Sequence, residues 1–296
     1  MTAVDVLETA VTLSHGDYEA LVLPALGGGL ARLRWQGYDL VQSIPDKPEK
    51  PLKPAQLGMF PMAPWAGRIK DAQFAWRGET YHVDPFPPEP HALHGDGWQS
   101  VWTVNRSNAA SVLLSLDIAD SPLAHQAELE YSLDDAGLSA RLSVTNKTNR
   151  PMPFGLGQHP WFPRDGAAQV QFSADRFWMH DPAGIPTDAI SLAPELDFAK
   201  VGSVPTGFRN NCYEGWDGHF RITYPEKQLA VRMTASSALK WLMVYCNPEL
   251  DAVCFEPQSH LPAAHNLPEE TGNLGLIELT PGESLSGSVT IAADPL

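Results

Sequence analysis

Residues 126–145 read QAELEYSLDDAGLSARLSVT, and their alternation decides the fold class. Ala127, Leu129, Tyr131 and Leu133 fall at every second position. Asp134 to Gly137 supply turn residues, and Leu138, Ala140, Leu142 and Val144 resume the alternation. Successive side chains of a strand point to opposite faces, so this period of two predicts a β-hairpin with one buried face. A second hairpin is expected at Phe74 to Val83, turning at Arg77-Gly78, with Phe74, Trp76, Tyr81 and Val83 as strand-favouring residues. Short strand signals recur at Tyr18 to Leu23, Leu30 to Trp35, Val112 to Ile118, Val170 to Phe172 and Leu229 to Thr234. They continue at Trp241 to Tyr245, Val253 to Glu256, Leu274 to Leu279 and Leu285 to Ala292. The best helical window, Ser191 to Lys200, is short and contains Pro194. With 27 prolines and 23 glycines spread along the chain, few windows remain for a long helix. The expectation is an all-β protein, a large antiparallel β-sandwich spanning 1–296 as a single domain.

The composition narrows the function. The chain has 296 residues, 43% hydrophobic and 19% charged, with 35 acidic against 20 basic side chains and a net charge of −15. That balance excludes a disordered chain and argues against nucleic-acid or membrane-surface partners, which need a clustered positive face. No segment reaches the roughly 18 to 20 apolar residues of a membrane-spanning helix. The first residues do not resemble a secretory signal, so a cytoplasmic location is expected. Cys212, Cys246 and Cys254 are odd in number and lack metal-ligand spacing, which predicts reduced, buried thiols. Exposed sheet edges are compatible with a monomer or a homodimer.

Four short segments concentrate reactive side chains among glycine, proline and tryptophan. They are Ala66-Gly67-Arg68-Ile69-Lys70, His91-Ala92-Leu93-His94-Gly95, Gly157-Gln158-His159-Pro160-Trp161-Phe162 and Cys254-Phe255-Glu256-Pro257-Gln258. The proline-rich stretches Ile44 to Pro64 and Pro85 to Pro90 read as rigid loops beside a site. Gly27-Gly28-Gly29 precedes a strand rather than a helix, so it reads as a turn and not a phosphate cradle. His91 lies three residues before His94, a separation a strand does not place on one face, and is expected to pack in a loop. The two histidines lack a partner set for a metal, and no metal site is expected.

In this order, over an all-β chain, the segments resemble the aldose 1-epimerase or galactose mutarotase family. The resemblance covers residues from about 18 to 292 and rests on Arg68, His94, His159 and Glu256 within their motifs. It implies a many-stranded β-sandwich with a cleft on one sheet, the galactose mutarotase-like fold. It further implies Glu256 as catalytic base and His159 as catalytic acid, with Arg68 and His94 holding sugar oxygens. Family members commonly carry an aspartate in a Leu-Asp-x-x-aromatic segment. Here the best match is Arg209-Asn210-Asn211-Cys212-Tyr213, which makes Asn210 the substrate-binding counterpart. An amide both donates and accepts, so the preferred hydroxyl pattern changes. Asp217, in Gly215-Trp216-Asp217-Gly218, could compensate or cap a turn.

The implied chemistry stands on its own physics. Exchanging the α and β anomers of a free monosaccharide requires opening a hemiacetal and closing it on the other face. A base takes the anomeric hydroxyl proton while an acid protonates the ring oxygen, and the pair then works in reverse. A carboxylate near its ordinary pKa of about 4.3 suits the base, and an imidazole near about 6.5, raised slightly, suits the acid. The reaction requires no cofactor. Trp65, Trp98 and Trp161 flank the segments and could stack on a sugar. Three other readings stay open. An epimerase of phosphorylated or sulfonated sugars would need a cation from Lys70, Arg164 or Arg209. A carbohydrate-binding protein would need no acid and base pair, and a glycoside hydrolase would need a second carboxylate.

Overall fold

A computed structural model describes residues 3–268, 271 and 274–296. Among them strands are the dominant regular structure, joined by turns and short 3-10 segments, with one six-residue α-helix, Ala3–Glu8, that the sequence reading did not anticipate. The deciding hairpin forms as expected: His125–Asp134 pairs antiparallel with Gly137–Asn146, with Leu129 opposite Leu142 and Tyr131 opposite Ala140. Its alternate side chains are buried. Gly137 has φ +113°, and a Cβ there would lie 2.3 Å from the Ile291 carbonyl oxygen. Only glycine lets the C-terminal strand close against this turn. The second hairpin pairs Gln73–Trp76 with Glu79–His82, turning at Arg77 (φ 49°) and Gly78 (φ 82°).

Among the described residues, two large antiparallel sheets carry the fold. Nine strands form one, in which the deciding hairpin lies between Ser111–Ile118 and Ser284–Pro295. Eleven form the other. Its centre runs in the spatial order Met59–Met62, Gly157–Pro163, Ala252–Gln258, Trp241–Cys246, Arg209–Glu214, Arg176–His180. The inner faces share one core, with Phe220 of the nine-stranded sheet against Phe255 of the other at 4.3 Å between ring centroids. Each such fully buried side chain contributes about 1.5–3 kcal/mol of transfer free energy.

Two local expectations are corrected. Only Ile277–Leu279 of the segment Leu274 to Leu279 is strand, paired with Met152–Phe154. Gly275, with φ +89°, bends the chain before it. Ser191 to Lys200 contains no helix: Ser191 ends the strand Pro186–Ser191, and turns and bends around Pro194 follow. Asp217 caps a turn, its Oδ1 accepting from the His219 amide at 2.9 Å.

Alternation in the strand Ala252–Gln258 positions the site. Val253 and Phe255 enter the core between the sheets, whereas Ala252 and Cys254 join a separate apolar cluster on the opposite face with Phe60, Trp98 and Trp161. Glu256 takes that opposite face. The neighbouring strand pairs Gly157 with Gln258 and Trp161 with Cys254, which puts His159 across from Glu256. Farther along, Glu256 pairs with Met243, Cys254 with Tyr245, and Tyr245 with Asn210. Strand register thus assembles four of the reactive positions on one surface.

Candidate active site

That surface forms the floor of a cavity of about 500 Å³ lined by Arg68, His94, Asn210, His159 and Glu256. All five residues singled out in the sequence meet there. His159 Nε2 approaches Glu256 Oε1 to 3.1 Å. Phe60 stacks on the His159 ring at 4.3 Å between centroids, and Trp98 stacks on Phe60 at 5.2 Å. These apolar faces strip water from the pair.

The electrostatic consequence reverses an expectation. Burial pushes the Glu256 carboxyl up to about 8 against the opposing pull of Arg68, and it pushes the His159 imidazole down to about 3. The sequence reading placed both near their ordinary values, with the imidazole slightly raised. A low-dielectric site disfavours the charged form of each group, so both shifts run toward neutrality. At neutral pH the pair therefore holds one proton, favoured on the carboxyl.

The Arg68-Ile69 and Leu93-His94 segments are one structural unit. Arg68–Ile69 and Ala92–Leu93 form a two-stranded pair, the His94 amide donates to the Gly67 carbonyl at 2.8 Å, and the Gly67 amide donates to His94 Nδ1 at 3.0 Å. His94 sits at φ 58°, held by these bonds. Burial, then the nearby His159 and Arg68, keeps its ring neutral by lowering its pKa well below the usual value. With Nδ1 accepting, the neutral ring carries its proton on Nε2, leaving that nitrogen as a donor.

Several contributing residues escaped the sequence reading. Glu89 accepts from Arg68 Nε and Nη2, each at 2.9 Å. This fork fixes the guanidinium and neutralises its charge while leaving Nη1 outside the pair. The available signal was the position of Glu89 inside the stretch Pro85 to Pro90 already read as a rigid loop. His260 Nε2 accepts from the Ala66 amide at 3.0 Å, supporting the Arg68 segment from behind. Gly184 has φ +78°, and a Cβ there would lie 2.8 Å from Asn210 Nδ2 and 3.1 Å from Arg68 Nη1. Glycine lets this loop approach both side chains. Tyr245 and Asp251 also line the cavity.

Other expectations resolve individually. Trp98 and Trp161 line the cavity, but Trp65 packs in the main core, edge-on to His265. His91 packs in a loop, its Nδ1 accepting from the Asp71 amide at 3.0 Å. All three cysteines are free and buried. His159, Cys254 and Glu256 have ligand atoms within 4.8 Å of one another. Burial holds the Cys254 thiol well above its ordinary pKa. The sequence reading weighed only His91 with His94 for a metal and did not foresee this grouping. Among the described residues no helix is long and apolar enough to cross a membrane.

Comparison with known proteins places the molecule. A model of the family described as aldose 1-epimerase matches residues 9–292. The chain belongs to the aldose 1-epimerase family. It is 30% identical over 244 residues to the uncharacterized protein YphB of Escherichia coli (strain K12), covering 79% of this chain and 83% of that one. The crystal structure of a "Putative aldose 1-epimerase" from Escherichia coli K12 superposes with a TM-score of 0.90 at 28% identity, over 97% of this chain and 99% of that one. A galactose mutarotase-like protein from Clostridium acetobutylicum shares the fold, with a TM-score of 0.83 at 23% identity over 97% and 95% of the two chains. The all-β, galactose mutarotase-like architecture expected from sequence is the architecture of this family.

Proposed function

We propose that the protein is a mutarotase that interconverts the α and β anomers of a free, neutral monosaccharide, acting as one cofactor-independent domain over 1–296. The observation carrying this reading is the 3.1 Å approach of His159 Nε2 to Glu256 Oε1 at the floor of a cavity walled by Arg68, His94 and Asn210.

The proton inventory closes. In the productive arrangement the single proton of the pair sits on His159. Glu256 takes the anomeric hydroxyl proton as His159 gives its own to the ring oxygen, the C1–O5 bond breaks, and the aldehyde is released from the ring. The proton of the pair now resides on Glu256, the placement that burial favours. After rotation about C1–C2 the same groups return the protons and the ring closes on the other face. Arg68 favours the ionised carboxylate that the first step needs, and the His94 donor and the free Arg68 Nη1 suit sugar oxygens on which electron density builds.

Charge on the walls favours a neutral sugar over an anionic one. Arg68 is already paired with Glu89, and Asp251 adds a further acid to the lining. Of the three cations considered for a phosphate or sulfonate, Lys70 is exposed outside the cavity. Arg164 donates to the Asn247 and Thr206 carbonyls, and Arg209 donates to the Tyr213 hydroxyl. The free, buried thiols suit a reducing compartment, so the cytoplasm is the proposed location.

The test is exchange NMR at anomeric equilibrium over neutral, deoxy, phosphorylated and sulfonated sugars. Faster α-to-β exchange is expected for a neutral sugar, and an enzyme that accelerates only phosphorylated or sulfonated sugars would overturn the substrate assignment. The rate should hold through neutral pH and fall above about pH 8 as Glu256 loses the proton of the pair.

Arg68→Ala should raise KM and lower kcat together. Glu89→Gln, which leaves Arg68 in place but removes its bidentate partner, should lower kcat/KM by about tenfold. Steady-state kinetics on the two variants checks both expectations. Unchanged kinetics in Glu89→Gln would show that the guanidinium is positioned without its partner.

A further inference from the structure

Cys254 takes no part in the proton transfers, yet strand geometry sets it beside the two groups that perform them. Cys254 and Glu256 lie two apart on the strand Ala252–Gln258 and project from the same face. His159 stands across from Glu256 on the neighbouring strand. The three side chains form a buried triangle whose ligand atoms all lie within 4.8 Å of one another. We propose that this triangle is an inhibitory site for a thiophilic divalent cation of the Zn²⁺ class, held by His159, Cys254 and Glu256 at the cavity floor.

The donors suit such an ion. They are one imidazole nitrogen, one sulfur and one carboxylate oxygen, all ligand types that zinc accepts in tetrahedral sites. With Zn–N and Zn–O bonds of about 2.0–2.2 Å, two ligands of a tetrahedral ion lie about 3.3 Å apart. His159 Nε2 and Glu256 Oε1 already stand at 3.1 Å, so the Cys254 sulfur needs only a small side-chain adjustment to complete the set. Both His159 and Glu256 line the cavity, through which the ion enters and from which water supplies a fourth ligand. Charge balances as well. The protonated thiol and the one-proton pair are together neutral, and binding releases two protons to leave Zn²⁺ with one thiolate and one carboxylate, again neutral. The cation that acts on Glu256, Arg68, is offset by Glu89 at 2.9 Å. His159 Nδ1 has no hydrogen-bond partner, so the ring lacks the outer support of a permanent ligand and the metal stays exchangeable.

The consequence for turnover is direct. An ion on His159 Nε2 and Glu256 Oε1 occupies the lone pairs that both proton transfers use. It is a block and not a cofactor. The proposal rests on the epimerase reading for this effect on turnover, whereas binding of the metal stands on the triangle alone.

The experiment pairs spectroscopy with kinetics. Co²⁺ titrated into the protein reports a tetrahedral site through its visible bands and a sulfur ligand through a thiolate charge-transfer band in the near ultraviolet. The wild type should show both. Cys254→Ser should lose the charge-transfer band, and Cys212→Ser and Cys246→Ser, which change the other two thiols, should keep it. Zn²⁺ should inhibit anomer exchange by the wild type. Cys254→Ser should turn over within about twofold of the wild type, with its inhibition constant for Zn²⁺ raised about 100-fold, since losing even a group behind a ligand costs about 10–100-fold. Glu256→Gln should weaken Co²⁺ binding by a similar factor, a check that holds if Cys254→Ser does not fold. Absence of the charge-transfer band in the wild type, its persistence in Cys254→Ser, equal inhibition of the two proteins, or undiminished Co²⁺ binding by Glu256→Gln would overturn the site. Failure of the epimerase reading has a different signature, no accelerated sugar at all, and the cobalt spectrum still decides the metal site because it needs no turnover.

Discussion

Glu256→Gln is expected to lower the catalysed rate of anomer exchange by about 10²- to 10⁴-fold, the range one positioned proton-transfer group supplies. The fold should survive, because the amide matches the carboxyl in shape and can donate to His159 Nε2 as a protonated carboxyl would. A second readout separates lost chemistry from lost structure. Burial raises the folded carboxyl from an ordinary 4.5 to about 8, so over that window the folded state holds a proton that the unfolded state releases. The contribution of Glu256 to stability must then fall as pH rises from about 4.5 to about 8 and level off above it. Glutamine does not titrate and removes this loss. The variant should therefore be nearly inactive yet melt at a higher temperature than the wild type at pH 8 to 9, with the difference vanishing toward pH 5. Thermal melts at both pH values check the sign, and a variant less stable at pH 8 would show that Glu256 is ionised in the folded protein.

This reversal marks the boundary of what could be read from sequence. The hairpin around Asp134 to Gly137 was legible because its two strands bury one face each, and period two records that burial directly. The strand Ala252–Gln258 is buried along its whole length, so no polarity contrast announced which residues face the core and which face the cavity. Only the register with its neighbours separates Phe255 from Glu256. The residues converging in the cavity carried a legible pattern of motifs, but their protonation did not. A pKa depends on what surrounds the group, and Phe60, which stacks on His159, lies 99 positions earlier in the chain. Glu89 shows the same limit. Its loop stood out by its prolines, whereas the fork to Arg68 exists only after Arg68–Ile69 pairs with Ala92–Leu93. The strand expected from Leu274 failed at Gly275, where a positive φ serves the close approach of the chain to Ser259.

A larger effect on stability should come from histidines. Burial lowers the pKa of His125, His180 and His260 to about 4, of His159 and His265 to about 3, and of His94 well below 6.5. They lie in different parts of the structure: His125 in the nine-stranded sheet, His260 and His265 behind the Arg68 segment, the others along the cavities. Below about pH 6.5 the unfolded chain protonates these rings and the folded chain does not. The unfolded state then binds more protons, and stability falls as pH falls. Each group removes up to about 1.4 kcal/mol per pH unit, so together they weaken the fold by several kcal/mol per unit, against a typical total of about 5–15 kcal/mol. Glu256 opposes this with a single proton. The protein should therefore lose stability as the pH falls from about 6.5 toward 5, although acidification brings its net charge of −15 closer to zero and relieves self-repulsion. Denaturant melts followed by tryptophan fluorescence between about pH 7 and pH 5 give the proton uptake from the slope of stability against pH. An uptake of several protons on unfolding is expected. A flat profile through this window would mean that these histidines are protonated in the folded protein, and with them the neutral His159 on which the one-proton pair depends.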